Sequence, residues 1–217
     1  MRLLSSFFKL KNRLFPDRNF RRPRIWSNRE LKKIAPLFDG NVINVSGWRD
    51  NDKEGGSYRD YFYNARSYTI SNCEGKSGFQ GDIKNEIFID LEKELPDSLK
   101  NKYDIVFNHT TLEHVFDIFS AFRNLCGLSR DIVIIVIPFI QKLHISEGDY
   151  SDYWRFSPYA IEKFFKMNNM EIAYISANKG KESVYILAVA SKKPENWKGK
   201  FPQVNRSIYK DLGKGIF

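Results

Sequence analysis

YDIVFNHTTLEHV, residues 103–115, opens on an aromatic and an acid, runs through Ile105, Val106 and Phe107, and turns polar at Asn108 and His109. A short apolar run bounded in this way predicts a buried strand over 103–108. Leu112, Val115, Phe116, Phe119, Phe122 and Cys126 then recur at helical spacing, and the unbroken apolar run 132–137 predicts a second strand, covered on both faces and closed by Pro138. Strand, helix, strand in this rhythm builds a parallel sheet with helices packed on it. Ligands of such sheets sit outside the carboxyl ends of the strands, which places Asn108 and His109 where one would be touched.

The same alternation extends in both directions. Upstream, 42–45, 66–71 and 86–90 are predicted strands, with a polar, Gly-containing loop over 46–57 after the first. Downstream, Ser157 and Pro158 supply an N-cap and a first-turn proline for a helix to about residue 168. The strands 171–176 and 183–190 are joined through Asn178, Lys179 and Gly180, so they are expected to pair antiparallel. The expected architecture is α/β: a Rossmann-like, mostly parallel sheet with a C-terminal antiparallel hairpin and helices on both faces. The domain is expected over 41–191, after an N-terminal arm and helix over 1–40 and before a polar tail over 192–217.

Within the arm, Leu3, Leu4, Phe7, Phe8, Leu14 and Phe15 form an apolar stripe on a basic segment that Pro16 ends. Residues 17–24 read as a basic linker, and 27–38 as a helix with Ser27 as cap and Glu30 as its capping-box partner. The net charge of +9 is concentrated here: residues 1–33 hold 11 Lys and Arg against two acids, while the other 24 bases balance 24 acids. A basic arm on a neutral domain argues against a broad nucleic-acid face and suggests a local anionic partner: residues 1–33 on anionic membrane, or an anionic glycan or RNA. Docking of the stripe on the domain itself is the plainer alternative. Cys73 and Cys126 stand far apart, without the spacing of a disulfide framework or a zinc site, which fits a reducing cytoplasm and no metal. No run of about 20 apolar residues is present to span a bilayer, and Lys9, Lys11 and Arg13 interrupt what a signal peptide would need. A cytoplasmic protein is expected, peripheral at the inner membrane face if the arm binds lipid.

Residues 103–115 resemble the fourth strand and following helix of the class I S-adenosylmethionine-dependent methyltransferases, in which an Asp opens the strand and Leu-Glu-His-Val begins the helix. IPFIQKLH, residues 137–144, followed by DYWRFSP, residues 152–158, resembles the segment after the fifth strand in methyltransferases of bacterial surface-polysaccharide clusters. The resemblance implies S-adenosylmethionine as cofactor, bound over Gly47, Asn72, Asp90, Asn108 and His109. Two departures stand out. The family's Gly-x-Gly-x-Gly loop is reduced here to Gly47, and the acid that ends the second strand is replaced by Asn72, with Glu74 two residues later. Glu113 and His114 read as organisers of the helix start.

His144 follows a buried strand in a loop at the ligand end of the sheet, and an imidazole can take a proton from a sugar hydroxyl near neutral pH. Asp152 would orient that imidazole or bind a hydroxyl. Tyr153 and Trp154 offer flat faces to a pyranose, and Arg155 would pair with an acceptor carboxylate or phosphate. The structural alternative has Trp154 and Phe156 packing beneath the loop and Arg155 tied to a local acid. Three functions follow: a methyltransferase acting on a hydroxyl of a bacterial surface glycan or glycolipid precursor, a non-catalytic module on the same scaffold, and an RNA methyltransferase resting only on the basic arm.

Overall fold

The computed structural model describes residues 20–75, 78–81, 85–147, 150–180 and 182–201. The apolar stripe within 1–15 lies outside them, as do residues 202–217. Strands β1 (Asn41–Val45), β2 (Ser67–Asn72), β3 (Glu86–Phe88), β4 (Tyr103–His109), β5 (Ser129–Ile140), β6 (Glu171–Ala177) and β7 (Val184–Ser191) form one sheet in the order β3-β2-β1-β4-β5-β7-β6. The first five run parallel, and β7 inserts antiparallel between β5 and β6. This is the expected mostly parallel sheet with its C-terminal hairpin.

Alternation along β5 shows why its apolar run is unbroken. Val133, Ile135 and Ile137 face the cluster that holds Phe122 and Phe165, whereas Ile132, Ile134 and Val136 face the one that holds Leu31, Phe38 and Phe107. Helices α2 (Ile118–Leu128) and α3 (Pro158–Met167) cover the first face. The second is covered by α1 (Arg21–Ile34), by a 3-10 turn at Tyr58–Tyr61, and by Trp197 and Phe201 beyond β7.

Several boundaries differ from those read in sequence, each for a physical reason. Strand β5 continues through Pro138, because its parallel partner β4 ends at the Val136 pairing and a register shift beyond Pro138 accommodates a residue with no N–H to give. The Leu-Glu-His-Val segment is a 3-10 turn, Leu112–His114, entered through Thr110 at φ 48°; α2 starts only at Ile118, capped by Asp117, whose side chain accepts from the Ser120 N–H. Phe116 and Phe119, assigned to the buried stripe, are 67% and 57% exposed. Helix α1 begins at Arg21, six residues before the expected cap at Ser27, with Pro23 in a first turn whose N–H groups have no intrahelical acceptor anyway. Ser27 is therefore an interior, fully buried residue, and Glu30 accepts a hydrogen bond from the Tyr174 hydroxyl at 2.9 Å instead of closing a capping box.

Beyond β7 the chain stays on the domain as far as Phe201. The Trp197 indole donates to Asp131 Oδ2 at 2.8 Å, and its ring lies 5.2 Å from Phe38 and 5.5 Å from Phe201. Among the described residues no helix is long and apolar enough to cross a membrane, and no group of His, Cys, Asp or Glu side chains is placed to hold a metal ion.

Candidate functional site

Register brings the carboxyl ends of three strands level: Val45 of β1 pairs with Ser71 of β2 on one side and Asn108 of β4 on the other. The chain leaves β1 through a loop in which Ser46, Trp48, Asp50 and Lys53 all have positive φ, between 47° and 62°. Non-glycine residues adopt this region at a cost of roughly 1–2 kcal/mol each, so the surroundings must hold them there. Asp50 does most of it. Its buried carboxylate accepts from Asn44 Nδ2 at 2.7 Å, the Tyr68 hydroxyl at 2.7 Å, the Arg59 N–H at 2.9 Å and the Ser57 hydroxyl. Asn72, at the end of β2, clamps Trp48 from the other side: its Oδ1 accepts from the Trp48 N–H at 2.7 Å, and its Nδ2 donates to the Trp48 carbonyl at 3.1 Å and to Glu86 Oε1 at 2.6 Å.

Above these strand ends lies a cleft of about 1040 Å³. Its walls include Ser46, Gly47, Trp48 and Lys53 from the β1 loop, Cys73 and Glu74 after β2, His109 at the end of β4 with Thr110, Thr111 and His114 after it, residues 144–147, Tyr150, Ser151 and Tyr153 after β5, and Arg24 and Tyr58. Of the residues singled out in sequence, Gly47, His109, His144 and Tyr153 line it. Gly47 has a local reason to lack a side chain, since a Cβ would meet Asn44 Nδ2 at 2.5 Å. Asn72 is buried, with both ends of its amide engaged by Trp48 and Glu86, so it faces the loop and not the cleft. Asn108 is buried beneath the cleft, its Nδ2 donating to the Val45 carbonyl at 2.9 Å and its Oδ1 without a partner. Asp90 lies off the wall, where its carboxylate accepts from the Glu92 N–H at 2.9 Å.

Residues 141–144 and 152–155 are tied to one another. Asp152 accepts from the His144 backbone N–H at 2.7 Å, so it fixes the position of that residue and not the orientation of its imidazole. Arg155 forms a two-pronged pair with Asp152 and donates to the carbonyls of Gln141, Lys142 and Trp154. Its guanidinium is committed to the loop and not offered to an acceptor. Trp154 donates from its indole to the Val115 carbonyl at 3.0 Å and packs on the core, off the cleft. Tyr153 is 49% exposed at the rim, edge-on to Phe116 at 5.3 Å.

Two imidazoles share the β5 side of the cleft. The His144 Nε2 lies 3.0 Å from the Tyr150 hydroxyl, and its ring is 5.6 Å from that of His114. His114 Nδ1 is 2.7 Å from the Ser151 carbonyl, which can only accept, so Nδ1 carries the proton and Nε2 the lone pair of the neutral ring. Partial burial lowers both pKa values below the ordinary 6.5, and the Asp152 carboxylate only partly offsets this, so both are proton acceptors at neutral pH. Glu113 and His114 do not organise the start of α2; the Glu113 carbonyl receives the Tyr153 N–H at 2.7 Å and so holds the rim segment. The Glu113 side chain is buried, and that burial pushes its pKa up to about 8, with Asp152 adding to the rise against the backbone and Arg155.

The order of strands, the reversed β7 and the cleft over the ends of β1, β2 and β4 decide the fold. It is the fold of the class I S-adenosylmethionine-dependent methyltransferases. No protein-family model and no curated protein matches the chain. Solved structures do. A Bacillus halodurans protein assigned as a methyltransferase matches with a TM-score of 0.55 and 10% identity, over 76% of this chain and 97% of the other. An S-adenosylmethionine-dependent methyltransferase of Mesorhizobium loti matches at 0.51 and 12%, over 75% and 96%. The magnesium protoporphyrin IX methyltransferase of Synechocystis, solved with bound S-adenosylmethionine, matches at 0.51 and 13%, over 87% and 92%.

Sequence reasoning overlooked Arg24, Trp48, Lys53 and Tyr58 as cleft residues. Pro23 was the available signal for Arg24: a proline in a first helical turn marks a start at 21, which turns a presumed linker into a helix.

Two outcomes follow from this geometry. Asn72→Asp puts back the acid the methyltransferase pattern calls for, yet removes the donor to the Trp48 carbonyl and sets a carboxylate against Glu86. It is expected to cost about 2 kcal/mol in urea unfolding, through a buried acceptor left unpaired and a like-charge contact; unchanged stability would contradict the clamp. Glu113, with a folded pKa of about 8 above the ordinary 4.5, takes up a proton on folding between those values, so its contribution is full below 4.5 and is lost as pH rises to 8. The depressed histidines act below 6.5. Between those limits the urea midpoint should fall as pH rises from 6.5 to 8, and Glu113→Gln should flatten the fall; an equal slope in the variant would exclude Glu113 as its source.

Proposed function

We propose that the protein is an S-adenosylmethionine-dependent methyltransferase acting on a hydroxyl of a glycan or glycolipid precursor, with His144 as general base. The observation that carries this reading is the cleft over the ends of β1, β2 and β4, which places an acid and a lysine on the β1–β2 side and neutral imidazoles on the β5 side. The donor set fits the cofactor, though not through the residues the family pattern names. The Gly47 and Trp48 N–H groups are already spent on Ser71 and Asn72, and the Asn72 amide on Trp48. Glu74, which lines the cleft just beyond Asn72, is the acceptor for ribose hydroxyls. Lys53, with its Nζ 4.4 Å from the Trp48 ring centroid, is the cation for the amino-acid carboxylate.

S-adenosylmethionine, when bound, supplies a methyl group activated by its attachment to a sulfonium. The protein's part is to align the acceptor and take its proton. The His144 imidazole, neutral at pH 7 and on the cleft wall, removes the proton from the acceptor hydroxyl as the oxygen attacks, and Asp152 holds its backbone in place. Exposed Tyr153 and Phe116 at the rim give flat apolar faces that support a sugar ring as acceptor. Residues 1–33, with their surplus of positive charge, would hold the enzyme against anionic membrane where such precursors are made.

A second reading, a binding module without catalysis, is favoured by one observation: the β1 loop spends on β2 the backbone donors that would greet a cofactor. Titration calorimetry of the full chain with S-adenosylhomocysteine separates the two. The enzyme reading predicts saturable binding that Glu74→Gln weakens by about tenfold, the loss of one charge-assisted hydrogen bond, and no heat at millimolar ligand would sink it. With binding established, His144→Ala should abolish methyl transfer while leaving cofactor affinity intact. If His114→Ala is the silent variant instead, the base is His114, whose tautomer is already fixed.

A further inference from the structure

Arg24 enters the cleft from α1, and its charge is unanswered. Arg155 and Arg130 each meet a carboxylate, at Asp152 and Asp104, but no ion pair forms at Arg24 among the described residues. Its partners are the Tyr58 hydroxyl at 3.1 Å, the Thr110 hydroxyl at 2.9 Å and the His109 Nδ1 at 3.3 Å.

All three are neutral. Burial holds the Tyr58 phenol up at about 12, against the pull of Arg24 itself. His109 is settled by its hydrogen bonds. The Ser27 hydroxyl donates to the Arg24 carbonyl at 2.9 Å, which leaves it only as an acceptor for His109 Nε2, also at 2.9 Å. The imidazole therefore carries its proton on Nε2 and presents the Nδ1 lone pair to Arg24. Burial, and then the Arg24 charge, hold its pKa well below 6.5, in keeping with that tautomer. A partly buried guanidinium is thus fixed in one orientation by neutral groups, and a cation withdrawn from water without a counter-ion is costly unless a ligand provides one.

Position decides which part of a ligand this would be. Arg24 sits over the end of β4, and its field is felt at Glu113, Tyr185 and His144. Phe20, immediately before α1, packs its ring 5.2 Å from that of His144. The Arg24 charge is felt at Lys53 as well, so the contacts of Arg24 with His109 and Thr110, and of Phe20 with His144, are what set it beside the base.

We propose that Arg24 is an anion receptor and that the acceptor carries a carboxylate or phosphate near the atom to be methylated. The anion site stands on the Arg24 geometry alone; calling its ligand the acceptor rests on the methyltransferase reading. Arg24 takes the role that Arg155, committed to Asp152, cannot.

The test is calorimetric titration of the full chain with inorganic phosphate, with D-glucuronate, and with D-glucose as the neutral match. Saturable binding of phosphate or glucuronate, but not of glucose, is expected. Arg24→Gln should weaken it by about tenfold or more and Arg24→Lys by less, since the ammonium keeps the charge but not the fork. Binding of neither anion, or equal binding by Arg24→Gln, overturns the receptor. Should Arg24→Gln fail to fold, Arg24→Lys decides: affinity equal to the unaltered chain for both anions counts against the fork. S-adenosylhomocysteine is titrated in parallel. Arg24→Gln is expected to leave its affinity unchanged; a matching loss would assign Arg24 to the cofactor's carboxylate and overturn the acceptor assignment, and no binding even by the unaltered chain would overturn the methyltransferase reading while leaving the anion result to stand.

Discussion

Asp50 is a carboxylate buried between β1 and β2, and its hydrogen bonds to Asn44, Ser57, Arg59 and Tyr68 join the end of one strand, the start of the next and the turn between them. The connection from β1 to β2 contains no α-helix, only the 3-10 turn at Tyr58–Tyr61. A loop of this length with four left-handed residues would not keep one shape by itself. Asp50 satisfies the buried donors that converge on it, and Asp52 repeats the device one step further out, accepting from the Glu54 and Gly56 N–H groups and the Tyr61 hydroxyl. Asn28 of α1 reaches the same loop, donating to the Asp52 carbonyl at 3.0 Å. The helix that covers the sheet and the loop that floors the cleft are thereby one assembly.

That assembly also explains where the polar groups of α1 go. Its buried face carries Ser27, Asn28 and Glu30 alongside Leu31 and Ile34, and each of the three polar side chains has a distant partner: His109, the Asp52 carbonyl and Tyr174. Polar groups hydrogen-bonded across elements fix orientation more sharply than apolar contact alone. Arg24 and Ser27 meet the end of β4 through His109, so the end of the cleft nearest the base is shaped by an element that precedes the sheet in sequence.

The fold was legible because its signals are local. Apolar runs marked the strands, Ser157 and Pro158 marked the start of α3, and Asn178 to Gly180 marked the hairpin. The start of α1 was hidden because its buried face is partly polar, which erases the hydrophobic period, and Ser27 has the composition of a cap while its hydroxyl serves the Arg24 carbonyl and His109. The site was legible in outline only. His109, His144 and Tyr153 reach the cleft, since residues just beyond strand ends must. Asn72, Asp152, Trp154 and Arg155 were assigned by type, but each had a nearer partner: Trp48 for Asn72, Arg155 for Asp152, the Val115 carbonyl for Trp154. For Asp152 and Arg155 the three-residue spacing itself was the clue to local pairing.

The central claim is that the cleft over β1, β2 and β4 holds a nucleoside cofactor through Glu74 and Lys53. A crystal structure of the full chain grown with S-adenosylhomocysteine tests it most directly. The account predicts the ribose hydroxyls within hydrogen-bond distance of the Glu74 carboxylate and the amino-acid carboxylate facing Lys53, with the Asp50 and Asn72 contacts unbroken. Ligand density elsewhere on the protein, or a ribose held by Asn72 after the Trp48 clamp has opened, would contradict it.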